Sequence, residues 1–271
     1  MNDDSRNGAL RNGLAVLEMF RVDRPVITVS EIGRHLDVHK SSASRIAATL
    51  VSTGYLARAA EGQGFRLSGK LARLGSLAAN DTYLTELSTP IVRRLVEEVG
   101  ETCHVGVLEG REAVTVVLVD GSYSFRLHSF VGKRSPAHCT AMGKVLLAGL
   151  AQDELEELFY SVEEPLTKLT NNSIDTKAEL FAALSQIRQD GFAIDNEELE
   201  RGLVCVAAPI SNHEGRTVAS LTIAGATARL RDSLDAEYAP LVCAAADEIS
   251  VALGSPLAGA PGALRDVVPA T

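Results

Sequence analysis

The chain has 271 residues, 46% hydrophobic and 23% charged, with a formal net charge of −9. That is the make-up of a globular protein long enough for two domains, and no stretch approaches the roughly 18 uninterrupted apolar residues of a membrane span. The N-terminus MNDDSRNG lacks the apolar segment of a secretory signal, and the four cysteines (Cys103, Cys139, Cys205, Cys243) contain no CxxC pair. A cytoplasmic protein with reduced thiols is therefore expected, with no disulfide framework and no membrane partner.

Residues 1–7 read as a disordered tail. Ala9 to Phe20 is an amphipathic helix, with Leu10, Leu14, Leu17 and Phe20 expected inward. Ser30 to Tyr55 (SEIGRHLDVHKSSASRIAATLVSTGY) reads as two short helices about a tight turn. Ser30 is the expected N-cap, with Glu31 in the first turn where the helix dipole favours a carboxylate. The second helix starts near His39 or Lys40, runs to about Ser52 and is ended by Gly54. Ala43, Ile46, Ala47, Leu50 and Val51 form its buried stripe.

Ser41, Ser44, Arg45, Ala48 and Ser52 fall on the opposite face of that helix, with Lys40, Ser42 and Thr49 at its margins. This face is small, hydroxylated and basic, and carries no carboxylate. Hydroxyls reach phosphates and base edges, arginine binds a guanine edge bidentately, and alanine touches a thymine methyl. The plain alternative is a helical hairpin with a solvated serine-rich face. The flanks argue for DNA: Tyr55 to Arg58 and Phe65 to Leu67 read as strands of a wing, with Arg58 and Arg66 placed to meet backbone phosphate. The charge agrees. Residues 1–80 hold 11 Lys+Arg against 7 Asp+Glu, a net +4, while the remainder nets −13.

The expected winged helix-turn-helix spans 8–68, and a linker helix 69–82 follows with a weak point at Ala79-Asn80-Asp81. Leu71, Leu74, Leu77 and Leu84 are available for a dimer seam. From Gly100 the pattern turns to strands: Thr102 to Leu108 and Ala113 to Asp120 about the turn EGRE, then Ser124 to Val131. A loop leads to a helix at about Thr140 to Leu150, and further helices are expected at Gln152 to Phe159 and Lys177 to Asp190. Strands at Gly191 to Ile194, Leu203 to Pro209 and Thr217 to Gly225 precede a closing helix, Leu234 to Leu253. The tail 254–271, rich in Gly, Pro and Ala, reads as disordered. The fold class is α+β with a largely antiparallel sheet. Thr140 can cap the helix after it, turning the amides of Ala141, Met142 and Gly143 toward an incoming anion.

Three blocks, LAVLEMF…TVSEIGRHLDVHKSSASRIAATLVSTGYL, PAHCTAMGKVLLA and GFAIDNEELERGLVCVAAPI…VASLTIAG, resemble the IclR-type bacterial transcriptional regulators over residues 8 to 253. The resemblance implies a winged helix-turn-helix, a linker helix and a GAF-like effector-binding domain over 83–253. It implies dimers, or tetramers built from dimers, that repress or activate from a palindromic double-stranded DNA operator and bind small organic acids or aromatic catabolites. No cofactor or metal is implied. It places Thr140, Ala141, Met142, Gly143, Asp195, Cys205, Thr222 and Ala224 at the effector pocket. Members that bind small carboxylates carry hydroxyls at both matching strand positions, where this chain has Thr222 and Ala224. Met142 also replaces a small residue of some members, so glyoxylate or pyruvate is not assumed.

Plainer roles were weighed for the same residues. Cys139, Cys205 and Met142 can be core filler, Asp195 can cap a turn, and His128 and His138 can be structural histidines. His138-Cys139 and Cys103-His104 lack the spacing of a closed zinc site. The acidic run Glu197, Glu198, Glu200 reads as solvated. Two other function classes remain: a DNA-binding protein with a structural, ligand-free C-terminal domain, and a cysteine hydrolase built on Cys205, His138 and Asp195.

Overall fold

Helix α1 covers Asp3–Leu17, α2 Val29–His35 and α3 Lys40–Ser52; β1 (Leu56–Arg58) and β2 (Phe65–Leu67) pair antiparallel, and α4 (Gly69–Ala78) follows. The computed structural model describes residues 3–21, 24–59, 64–78, 81–123, 129–162 and 165–256. It divides into two units, Met1–Asn80 and Asp81–Thr271.

The first unit is a winged helix-turn-helix around a core of Val16, Met19, Ile27, Ile32, Ala47 and Phe65. Three expectations need correction. The N-cap of α2 is Thr28, not Ser30: Thr28 Oγ1 accepts from the Glu31 amide while the Glu31 carboxylate accepts from the Thr28 amide. This reciprocal box satisfies two orphan donors, and Ser30 has no glutamate three residues on to do the same. Helix α1 begins at Asp3, inside the tail expected to be disordered, because no proline blocks extension in that direction. Leu10 and Leu14 are exposed, while Val16 and Met19 enter the core. The i, i+4 spacing shows that a stripe exists but leaves its rotation open.

The turn between α2 and α3 depends on two close features. Asp37 adopts φ 51°, and a Cβ on Gly33 would sit 3.2 Å from the Val38 carbonyl. Past α3, Gly54 has the left-handed φ of 80° that glycine takes at no steric cost.

In the second unit, α5 (Asp81–Val99) leads into β3 (Thr102–Glu109), β4 (Glu112–Val119) and β5 (Arg134–Pro136). A 3₁₀ turn (Ala137–Cys139), α6 (Ala141–Ala148), α7 (Gln152–Tyr160) and α8 (Lys177–Asp190) come next. Then follow β6 (Ala193–Asn196), β7 (Leu203–Ser211), β8 (Thr217–Ala226), α9 (Thr227–Leu230), a π turn (Leu234–Tyr238) and α10 (Ala239–Ala252). The strands form one antiparallel sheet in the order β5-β4-β3-β8-β7-β6. Strand Arg134–Pro136 occupies the position expected of Ser124 to Val131. Residues 124–128, with His128, lie outside the described residues, and Ser129 to Val131 is not strand.

Period-two alternation splits this sheet into two cores. Cys103, Val105, Val204, Val206, Leu221 and Ile223 face one side, where they pack with α5 and α10. Leu84 belongs to this core and is not available for a dimer seam. Cys205, Ala207 and Ala224 face the other side, against residues of α6, α7 and α8. The residues expected at the effector pocket are concentrated on this second face.

Candidate functional site

In the first unit, α3 presents Lys40, Ser41, Ser44, Arg45 and Thr49 to solvent, with Ser42 half-buried. Not every hydroxyl is idle. Ser41 Oγ lies 2.9 Å from His39 Nδ1, and Thr49 Oγ1 donates to the Arg45 carbonyl. Arg45 is exposed. Arg58 is the cross-strand partner of Phe65, and its guanidinium lies 5.8 Å from that ring. Arg66, one residue on, projects from the opposite face of the wing. Exposed Arg34 and His35, in the last turn of α2, add basic groups that the sequence reading missed.

In the second unit, a cleft opens between α6 and the inner face of the sheet, with about 440 Å³ of non-atom space, open solvent included. Register explains its lining. One cross-strand row runs Asp195–Cys205–Ala224–Thr102, and the next on the same face runs Ala207–Thr222–His104. Asp195, Cys205, Thr222 and His104 line the cleft, and Thr140, Ala141 and Met142 close it from the start of α6. Ala224 and Gly143 do not line it. Ala224 is too short to reach past its buried neighbours. Gly143 gives its amide to Thr140 Oγ1 at 3.0 Å, leaving Ala141 and Met142 as the turn's contribution. Gly106 makes room for Met142: a Cβ there would lie 2.1 Å from the Met142 sulfur.

The electrostatics are unusual. Asp195 is fully buried; its Oδ1 accepts from the Glu198 amide at 2.7 Å, and its Oδ2 has no hydrogen-bond partner among the described residues. Burial, helped by the charge of Glu198, raises its pKa to about 7. Near neutral pH it can therefore donate or accept a hydrogen bond. His104 is driven the other way, to about 4, by burial and then by Lys133, so its ring is neutral. His104 Nδ1 and Thr222 Oγ1 are also buried without hydrogen-bond partners among the described residues. The Cys205 thiol is pushed well up by burial and by Asp195.

Glu198 overturns the expectation of a solvated acidic run. It is buried and paired with Lys144 of α6, Nζ to Oε1 at 2.5 Å, and Nζ also donates to the Ile194 carbonyl at 2.7 Å. Ser173 Oγ and Thr170 Oγ1 both donate to the Glu198 carbonyl. The pair therefore ties the helix over the cleft to the loop that leaves Asp195. A lone lysine in the apolar run AMGKVLLA was the available signal, since a buried charge needs a partner.

Of the expected hydrolase set, Asp195 and Cys205 meet as cross-strand partners, but His138 does not join them in the cleft. His138 Nε2 is 2.9 Å from the Thr167 carbonyl and outside the cleft, and the Cys139 thiol is raised to about 12, chiefly by burial. Cys103 and His104 face opposite sides of their strand.

Residues 9–60 match the IclR helix-turn-helix domain, and residues 77–251 match the C-terminal domain of the bacterial transcriptional regulator IclR. The HTH-type transcriptional regulator XynR of Escherichia coli K12 is 31% identical over 248 residues, covering 92% of this chain and 98% of XynR. The crystal structure of the Agobacterium tumefaciens repressor BlcR matches with a TM-score of 0.72 at 27% identity, over 91% of this chain and 97% of that one. An IclR homologue from Microbacterium hydrocarbonoxydans, solved in complex with 4-hydroxybenzoate, matches with a TM-score of 0.58 at 25% identity, over 90% and 98% of the two chains. Two domain matches in the order of the two structural units lead to one conclusion: the chain belongs to the IclR family of bacterial transcriptional regulators and carries that family's helix-turn-helix DNA-binding domain.

Proposed function

We propose that a small hydroxylated or aromatic acid, bound in the cleft beneath α6, controls the affinity of α3 and the wing for a palindromic operator. The observation that carries this reading is the set of buried, unpartnered atoms on the cleft residues, Asp195 Oδ2, Thr222 Oγ1 and His104 Nδ1. Unpaired buried polar atoms each cost about 1–3 kcal/mol, and a ligand that pairs them recovers that cost. Met142 and Leu203 supply an apolar wall. A hydroxyl on the ligand gives Asp195 a partner, as a bare keto acid does not. The Microbacterium homologue, solved with a hydroxylated aromatic acid, makes this class a natural first choice.

The chain acts by binding rather than by catalysis: burial and the neighbouring Asp195 hold Cys205 as a thiol rather than a nucleophilic thiolate. It works on DNA in the cytoplasm, and none of its described helices is long and apolar enough to cross a membrane. A palindrome calls for a two-fold dimer, or a pair of dimers, so that two α3 helices reach successive half-sites.

DNA titrations with and without a panel of hydroxybenzoates and hydroxy acids test this reading. A panel member should change operator affinity, and an unaltered affinity throughout would contradict it. In the same assay, Arg45→Ala should cost about 1–3 kcal/mol on the operator and relax specificity. Arg66→Ala should weaken all sequences alike and lower the salt slope by about one. Equal losses for Arg45→Ala on operator and random DNA would remove Arg45 from base reading.

A further inference from the structure

Asp195 stands in a group of charges that does not balance. Its Oδ1 is filled by the Glu198 amide at 2.7 Å. Its Oδ2 is buried without a hydrogen-bond partner among the described residues, on a side chain that lines the cleft. Three residues on, Glu198 is also buried, with its Oε2 likewise lacking a hydrogen-bond partner among those residues. The cation beside them is Lys144 of α6, and it is committed. Its Nζ meets Glu198 Oε1 at 2.5 Å and the Ile194 carbonyl at 2.7 Å. One ammonium therefore serves two carboxyl groups, and a buried carboxyl without a counter-charge gives up ionisation instead. The other elements around Asp195 supply no charge to replace it. From β7, its cross-strand partner Cys205 is a buried thiol. From the 3₁₀ turn, the Cys139 thiol is held at about 12 by burial. From β3, His104 is neutral above about pH 4. His138 is turned to the Thr167 carbonyl, and Lys133 lines the cleft just before β5, at the sheet edge opposite β6.

We propose that Asp195 binds the effector as an un-ionised carboxylic acid, donating through Oδ2 to a ligand oxygen, so that binding above neutral pH takes up one proton from solvent. The assignment rests on the reading of the cleft as the effector site, and it makes Asp195 a specificity-determining donor. The proton adds to the Asp195 carboxylate, and no other bond changes. An acid ligand brings a further negative charge into the cleft. An ionised Asp195 would repel it, with Glu198 already close and Lys144 already spent. A protonated Asp195 instead offers the ligand a short, strong O–H···O contact, as carboxylic acids kept neutral by their surroundings do elsewhere. The bound form keeps a proton that the free protein sheds as pH rises through about 7. Effector affinity is therefore level below that pH and falls about tenfold for each unit well above it. The reverse arrangement, an ionised Asp195 accepting from a ligand hydroxyl, makes affinity rise across the same range.

The test is calorimetric titration of the full chain at pH 6, 7 and 8 with 4-hydroxybenzoate, its 2- and 3-isomers and glycerate, whose carboxylates are ionised throughout that range. At least one hydroxy acid should bind, and its affinity should fall about tenfold from pH 6 to pH 8. Repeating the pH 8 titration in buffers of different ionisation enthalpy should show uptake of about one proton per ligand bound. Asp195→Asn keeps an oxygen for the Glu198 amide and puts an N–H donor in place of the acid proton. It should match wild type at pH 6 and bind about tenfold more tightly than wild type at pH 8. The inference is overturned if wild-type affinity is level or rises across the range, or if no proton is taken up at pH 8. It is also overturned if Asp195→Asn keeps the wild-type pH dependence, which would assign that dependence to another group such as His138. The wider reading fails differently, and the inference with it: no probe binds at millimolar concentration at any of the three pH values, or a probe binds with unchanged affinity to both Asp195→Ala and Met142→Ala.

Discussion

Glu198→Ala is expected to destabilise the second unit by about 3–5 kcal/mol, because it leaves the Lys144 ammonium buried without its counter-charge. Both side chains are under a tenth exposed, so solvent screening offers little relief. The loss should be visible as a fall in the urea midpoint and, for a unit of this size, a drop of about 6–20 °C in Tm. The Coulomb attraction within the pair is not a measure of its net worth, since both ions were desolvated to form it. The double variant Lys144→Met, Glu198→Leu should therefore recover most of the loss. A single variant of near wild-type stability would mean that Lys144 reaches water, and that the helix over the cleft is not tied to the loop leaving Asp195.

The second large effect is a gain. Asp195 titrates near 3.8 when unfolded and near 7 when folded, so the folded state holds a proton that the unfolded state has released. The sign follows from linkage: stability falls as pH rises from about 4 through about 7, and is level above that. Asp195→Asn keeps an oxygen to accept the Glu198 amide but cannot ionise. Its advantage over wild type should be near zero at pH 4 and on the order of 4 kcal/mol above pH 7. Denaturant titrations at pH 4, 6 and 8 measure this directly. Parallel pH profiles for the two proteins would show that Asp195 is already solvated in the unliganded state. A carboxyl kept at such cost argues for a ligand that uses it.

Much of this architecture was legible from local patterns. The inward stripe of α3, the alternation along β7 and β8, the cap at Thr140 and the limits of α8 all follow from short-range rules, and the structure has them. Features set by three-dimensional neighbours were not legible. The rotation of α1 depends on which side α3 packs, so Leu10 and Leu14 read as core when Val16 and Met19 fill it. Thr28 outcompeted Ser30 as a cap because its partner Glu31 stands three residues on. The pairing of Lys144 with Glu198 spans 54 residues, and no local period reveals it.

The cleft shows the same division. Asp195, Cys205 and Thr222 came from resemblance, and their shared face followed from alternation once the register was known. His104 was considered only as a metal ligand, because its strand's orientation cannot be read without its partner β8.

The central claim is that occupancy of this cleft changes operator affinity, which requires the ligand to bind the DNA-competent and incompetent states unequally. The most direct measurement is fluorescence anisotropy of operator DNA titrated with wild type, Asp195→Ala and Met142→Ala, each with and without the hydroxy acid identified by calorimetry. The account predicts that all three proteins bind DNA alike without ligand. With ligand, wild-type affinity should shift by about 5–150-fold, matched by an equal shift in ligand affinity when DNA is bound, while both variants need a different ligand concentration to respond. An operator affinity indifferent to saturating ligand, or one that shifts identically in all three proteins, would contradict it.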